Sequence, residues 1–230
     1  VLELGMKEAA KIVIEENKRV SALLGVHYAS RTTTVKPEGT SSLVLGCSSG
    51  IHAWHNPYYL RRVGVEKEEA IYKYLEEFHP DLLEDDFFKP TTLAHIKVPV
   101  RSPKNAIYRS ETALQFLSRV SKVYKEWVKP GYQKGHNHNN ISCTVTIKST
   151  EWDRVGNWMW ENRDSYTAIT VFPYDDHTYV QAPFEDIDEE TYDTMIKKIK
   201  QIDLTQVMEN GDYTKLKENV ACSGDSCEVR

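Results

Sequence analysis

The chain has 230 residues, 40% of them hydrophobic and 27% charged, with a formal net charge of −5. That is enough apolar material for one large domain or two small ones, with the charge content of a protein dissolved in water. The acidic balance argues against a surface that coats nucleic acid, and no apolar run reaches the length of a membrane span.

The first twenty residues, VLELGMKEAAKIVIEENKRV, are charged throughout and unlike a signal peptide. Position 1 is Val, so a piece of a longer or processed chain is expected. The four cysteines, Cys47, Cys143, Cys222 and Cys227, are too sparse for a disulfide scaffold and predict a reducing, cytoplasmic setting.

Leu2, Met6, Ala9, Ile12, Val13, Val20 and Leu23 recur mostly every three or four residues, which predicts an amphipathic helix over 2–24 with Gly25 as its stop. An extended β-branched run from Arg31 then predicts a buried strand over Thr32–Val35. The stretch from Arg31 to His52 continues with a turn (Lys36-Pro37-Glu38-Gly39), three hydroxyl residues (Thr40, Ser41, Ser42), a short apolar run and a second small-residue turn. Thr40 or Ser41 suits a helix N-cap. A strand, a glycine turn and a helix N-terminus in that order suit an anion, because backbone N–H groups point outward there. Two readings stand: a phosphate cradle, or an ordinary capped loop, since no Walker-type ending is present.

Tyr58–Val65 predicts a strand with Arg61 and Arg62 on opposite faces. Residues 66–78 read as a helix ended by Pro80, and the acidic run Glu84-Asp85-Asp86 as a solvated loop. A strand follows over Leu93–Val100. The next helix opens at Ser110-Glu111, runs to Val128 and stops at Pro130-Gly131. Residues 141–148 alternate and predict a strand. Thr150 is expected to cap a helix to Asn162, whose stripe of Trp152, Val155, Trp158 and Met159 reads as core. Ala168–Phe172 is a further strand, and Asp188 caps a last helix to about Ile202. The alternation of helices and strands predicts an α/β fold with largely parallel pairing, and one boundary, before the polar end of the chain.

His136-Asn137-His138-Asn139-Asn140 offers two histidines on one side of an extended chain, but nothing further follows at zinc-site spacing. Hydrogen bonding between loop and strand is the expected use. His52 and His55 could line a pocket or be bonded loop residues. Cys47 and Cys143 read as inert buried thiols. Cys222 and Cys227 flank a Ser-Gly-Asp-Ser near the terminus. They suit a pair that exchanges electrons with another disulfide, with a zinc half-site or two unrelated thiols as the other readings.

TVKPEGTSSLVLGCSSGIHAWH, YYLRRV, NHNNISCTVTIK, WMWENRDSYTAITVFPYDDHTY, QAPFEDI and CSGDSC, in that order, resemble the C-terminal portion of a class II, adenosylcobalamin-dependent ribonucleotide reductase, in the branch that reduces ribonucleoside triphosphates. The resemblance implies an α/β fold, the C-terminal part of a ten-stranded α/β barrel of two parallel five-stranded halves, over residues 1–205, with a flexible redox tail over 206–230. It implies that Pro37, Glu38, Gly39, Thr40, Ser41 and Ser42 hold the substrate phosphates. It also implies that Cys222 and Cys227 re-reduce the active-site disulfide and are recharged by thioredoxin or a similar dithiol reductant.

The cofactor would be adenosylcobalamin, contacted mostly by the part of the enzyme that is not in this sequence. The family's Asn-Pro-Cys-Gly-Glu radical-cysteine motif is absent here, so the chain is expected to need the N-terminal part of the enzyme and to be inactive alone. A ribonucleotide substrate is implied, and neither a nucleic acid nor a membrane partner. A non-catalytic nucleotide-binding regulatory module is the rival reading.

Overall fold

The computed structural model describes residues 5–39, 41–135, 137–174 and 180–209. They group into two compact units. The first holds the residues up to Ala53 and Ser110–Tyr174, and the second holds Trp54–Arg109 and the described residues from 180 onward. No helix among the described residues is long and apolar enough to cross a membrane.

In the first unit, α1 (Met6–Leu24) ends where expected. Gly25 turns left-handed at φ 68° and its N–H donates to Ala22 O. The apolar face of α1 is only partly used: Ala10 is buried, whereas Ile12, Leu23 and Leu24 are exposed. α2 is a short helix, Ser41–Leu45.

Helix α4 (Ala113–Val123) opens on a capping box. Thr112 Oγ1 accepts from Gln115 N at 3.2 Å, and Gln115 Oε1 accepts from Thr112 N at 2.8 Å. The predicted helix does reach Val128, but its last five residues, Tyr124–Val128, widen into a π-helical turn. Lys129 N donates to Tyr124 O at 2.8 Å, five residues back.

β4 (Thr144–Ile147) and β5 (Thr170–Pro173) pair in parallel and are joined through α5 (Trp152–Glu161). Among the described residues, β4 and β5 are the one pair of strands that runs parallel, beside isolated parallel bridges of Val35 with Ile141 and Trp54 with Tyr108. The core beneath β4 and β5 contains Leu117, Val120, Val128, Ile141, Val145, Ile147 and Val155, all essentially inaccessible to water. Burial of each such side chain stabilises the fold by roughly 1.5–3 kcal/mol. Trp158 and Met159 pack against this core as expected, while Trp152 is exposed.

The predicted cap of α5 is displaced by one residue. Glu151 rather than Thr150 is the N-cap, and its side chain makes no bond to its own helix. It accepts instead from Lys148 N (3.1 Å) and Ala113 N (3.2 Å).

The second unit is a four-stranded sheet in the order β2-β3-β1-β6. β1 (Tyr58–Glu66) and β3 (Leu93–Arg101) pair along their whole nine-residue length, with Tyr58 opposite Arg101 and Glu66 opposite Leu93. Short strands flank them, β2 (Leu83–Asp85) against β3 and β6 (Phe184–Asp186) against β1.

All three pairings are antiparallel, which corrects the expectation of largely parallel pairing. The reason lies in β2. β1, α3 (Ala70–Phe78) and β2 do form a strand–helix–strand unit with β1 and β2 running the same way. However, β3 folds back and inserts between them, so no parallel pair forms. The acidic run is likewise not a simple solvated loop. Glu84 and Asp85 lie in β2, where Glu84 meets Arg62 at 3.4 Å and Asp85 pairs with Lys67.

The adjacent arginines of β1 behave as the two-residue period requires. Arg61 lies over the ring of Phe184, its cross-strand partner, at 5.5 Å. Arg62, on the other face, has a buried side chain that meets Glu185 at 2.5 Å and donates to Ala182 O at 3.0 Å. Val65, Tyr72 and Ala94 form one small core, and Tyr74, Leu75 and Leu82 another. Helix α6 (Glu189–Lys198) starts as predicted at Asp188, whose carboxylate accepts from Thr191 N at 2.8 Å, but ends four residues before Ile202.

Candidate functional site

The segment Arg31–Val35 is extended, as predicted, but is not a strand. It is bridged at its two ends only, Arg31 with Tyr132 and Val35 with Ile141. Between them, side chains replace ladder bonds. Asn139 Nδ2 donates to Thr33 O (3.0 Å) and Trp127 Nε1 to Thr34 O (3.0 Å). The three threonine hydroxyls donate outward to backbone carbonyls: Thr32 to Gly131 (2.9 Å), Thr33 to Trp127 (2.7 Å) and Thr34 to Asn140 (2.8 Å).

A β-branched run with a hydroxyl at every position can be held this way on both sides, which fixes where the following loop starts. Thr33 is buried so tightly that a Cβ on Gly131 would come within 1.9 Å of its hydroxyl.

Pro37 is half-buried, and Glu38 and Gly39 are exposed. Thr40 lies outside the described residues. Ser41 and Ser42 are the first two residues of α2, so Ser41 is not a cap but part of the first turn, where backbone N–H groups have no partner within the helix. The two serines differ. Ser41 is exposed, while Ser42 is buried and its hydroxyl donates to Glu38 O, closing the loop upon itself. α2 stops at Gly46, which is left-handed at φ 61°, and Cys47 N donates back to Ser42 O at 3.0 Å.

Residues 48–52 then turn back beneath the loop. Gly50, at φ 58°, lies so close to the Lys36–Pro37 peptide that a Cβ would sit 2.7 Å from Lys36 O and 2.9 Å from its carbonyl carbon. Ile51 enters the main core. His52 Nδ1 donates to Ser49 O at 3.0 Å, and its Nε2 accepts from Thr144 N at 3.1 Å. A carbonyl can only accept and an amide N–H can only donate, so this pair of contacts fixes the neutral Nδ1–H tautomer.

The remaining candidates divide. Asn137, Asn139 and Asn140 bond the extended segment 31–35, which is not the strand expected: Asn139 through its side chain, Asn137 and Asn140 through their backbone carbonyls. Asn137 O accepts from Arg31, and His138 sits against Tyr124 and Tyr132, with Nδ1 3.3 Å from the Tyr124 hydroxyl. His136 lies outside the described residues. No group of three or more His, Cys, Asp or Glu side chains among the described residues could hold a metal ion.

His55 is bonded too, with Nε2 2.8 Å from Asp186 and Nδ1 3.3 Å from Arg109. Cys143 is buried, and burial pushes its thiol up to about 11. Cys47, expected to be buried, is exposed. The apolar run before it, Leu43-Val44-Leu45, is itself exposed, so Cys47 continues an exposed stretch. Cys222 and Cys227 lie outside the described residues. Gly50 and Glu151 were not singled out in the sequence, and Gly131 was read only as a helix stop. Their roles depend on partners elsewhere in the chain, and only the small-residue turns around Gly50 and Gly131 carried a local signal.

No protein-family model matches the chain. Among curated proteins, it is 24% identical over 223 residues to the adenosylcobalamin-dependent ribonucleoside-triphosphate reductase of Lactobacillus delbrueckii subsp. bulgaricus, covering 96% of this chain and 29% of the relative. The enzyme of the same name from Lactobacillus acidophilus is 26% identical over 226 residues, with the same shares covered. A probable adenosylcobalamin-dependent ribonucleoside-triphosphate reductase of Dictyostelium discoideum is 26% identical over 226 residues, covering 95% of this chain and 28% of the relative.

A crystal structure of a B12-dependent (class II) ribonucleotide reductase superposes with a TM-score of 0.74 at 22% identity, over 88% of this chain and 27% of that one. The chain spans less than a third of the length of each of these proteins. Over nearly all of its own length it is similar to part of the adenosylcobalamin-dependent ribonucleoside-triphosphate reductases, and its mixed α/β fold resembles that of the class II enzyme.

Proposed function

We propose that this chain is the C-terminal part of a ribonucleotide reductase that converts ribonucleotides to 2′-deoxyribonucleotides by radical chemistry, as a step of DNA precursor synthesis in the cytoplasm. The observation that carries the reading is the match to reductases of one name across 95–96% of the chain.

In this reading the Pro37–Ser42 loop holds the substrate phosphates. Ser41 and the first amides of α2 face the anion. Ser42 sets the loop's shape through Glu38. Holding the phosphates at one end fixes where the ribose lies, and positioning of that kind is the protein's main contribution in cofactor-driven radical chemistry.

Cys222 and Cys227 act as the dithiol that re-reduces the active-site disulfide by thiol exchange, and thioredoxin or a similar reductant recharges them. Adenosylcobalamin, on which the relatives depend by name, would supply the radical when bound. We assign most of its contacts to the part of the relatives' length that this chain does not span, together with the radical cysteine. The chain alone is then inactive.

The test is co-expression with a polypeptide carrying the Asn-Pro-Cys-Gly-Glu motif, followed by an assay of ribonucleotide reduction with and without adenosylcobalamin. Cofactor-dependent deoxyribonucleotide formation by the pair, and by neither part alone, supports the proposal. An assembled pair that binds nucleotide but never reduces it overturns it in favour of a regulatory module.

A further inference from the structure

The turn after α2 is held closely against the start of the loop and against the core. Gly50 has no room for a single added carbon against the Lys36–Pro37 peptide, and its φ of 58° disfavours any other residue. The next two residues fasten this turn to the rest of the unit. Ile51 is buried in the main core. His52 is held at three points: Ser49 O on Nδ1, Thr144 N on Nε2, and the face of Phe116, stacked at 5.8 Å. Thr144 is the first residue of β4 and Phe116 lies in α4. The position of Lys36-Pro37, where the loop begins, is thus tied through Gly50 and His52 to the most buried strand and helix of the unit.

We infer that Gly50 and His52 are positioning residues for the 37–42 loop. Gly50 sets the height of the Lys36–Pro37 peptide, and His52 locks the turn carrying Gly50 to β4 through its Nε2 acceptor. Neither touches the substrate. The inference rests on the reading of residues 37–42 as the phosphate loop. It adds that the geometry of the loop is imposed from outside it. Gly50→Ala forces the Lys36–Pro37 peptide to retreat by several tenths of an ångström, and that shift passes to the amides that would meet the anion. His52→Ala removes the acceptor for Thr144 N, whereas His52→Gln can return an amide oxygen to the same place.

The experiment measures kcat and KM for a ribonucleoside triphosphate in the intact protein that carries this chain, with thermal melting of each variant. Gly50→Ala is expected to raise KM ten-fold or more with kcat within two-fold. His52→Ala is expected to do the same, and His52→Gln to restore most of the loss. Should Gly50→Ala fail to fold, the contrast between His52→Ala and His52→Gln decides. If the variants fold and KM stays at the wild-type value while Ser41→Ala raises it, the bracing role is wrong and the phosphate loop stands. If Ser41→Ala leaves KM unchanged as well, the loop reading falls and the brace falls with it. A drop in melting temperature with no change in KM overturns the inference in favour of a purely structural role.

Discussion

Glu151 Oε1 accepts the backbone N–H of Ala113, the first residue of α4, at 3.2 Å, while its other oxygen takes Lys148 N at 3.1 Å. One buried carboxylate therefore fastens the start of α4 to the turn between β4 and α5. It stands at two helix N-termini, where the backbone dipoles favour negative charge. Removing it leaves two N–H groups without their partner. Glu151→Ala is expected to cost about 2–4 kcal/mol, and Glu151→Gln less, since one amide oxygen can still accept. Urea unfolding of the two variants checks the order. Equal losses would mean that the charge and not the bonds matters.

Gly131 is the counterpart of Thr33, whose hydroxyl would lie 1.9 Å from an added Cβ. Thr33 also donates to Trp127 O and is buried, so it cannot turn away without losing that bond. Gly131→Ala is expected to destabilise by about 1–3 kcal/mol. In the double variant with Thr33→Ala the penalty should shrink, because the clashing atoms have gone. A double-mutant cycle that comes out additive would show that the two do not press on one another.

The two thiols within the described residues should react differently. Cys143, with its thiol pushed to about 11 by burial, is almost entirely protonated at pH 8, whereas Cys47 is exposed. Brief alkylation at pH 8 followed by peptide mapping should label Cys47 and leave Cys143 intact until the protein is unfolded. The shift also fixes a sign. Burial favours the neutral thiol, so this contribution to stability is full below about pH 9 and is lost as pH rises through 11. Cys143→Ala should blunt that alkaline loss, and an unchanged alkaline profile would contradict the assignment.

Asp86 holds the turn before β3. Its Oδ1 accepts from Lys89 N at 2.7 Å and Phe88 N at 2.9 Å, and its Oδ2 meets His95 Nε2 at 2.9 Å. The Lys89 amide first, then His95 and Phe88, hold its carboxyl below the ordinary aspartate value against an opposing effect of burial. A depressed carboxylate contributes stability above the unfolded pKa of about 4 and loses it as pH falls through the folded value. Asp86→Asn should therefore lower stability at pH 7 and flatten the acid limb below pH 4. An acid limb as steep as the wild type's would sink the assignment.

The serines of the candidate loop should separate in kinetics of the reassembled reductase. Ser41→Ala is expected to raise KM for the nucleotide several-fold without loss of thermal stability, because Ser41 is exposed. Ser42→Ala should lower the melting temperature as well, because its hydroxyl holds Glu38 O. For the tail, Cys222→Ser should abolish turnover with thioredoxin but spare turnover with a small dithiol. Equal loss with both reductants would end the shuttle role.

Residue order alone determined much of this protein. The helix over 6–24 with its glycine stop, the cap at Asp188, the two long strands around residues 58–66 and 93–101 and the opposite facing of Arg61 and Arg62 all rest on periods and caps contained within a few residues. So did the resemblance, since ordered short motifs survive at 24–26% identity. Tertiary structure alone decided how the strands pair. β3 enters between β1 and β2 because of a three-residue strand whose acidic sequence resembles a loop, and whose charges make sense only beside Arg62 and Lys67. It also decided what the hydroxyls and His52 do. A threonine run, a serine pair and a histidine look alike as donors and acceptors until the carbonyls and amides they meet, up to 106 residues away in the chain, are brought beside them.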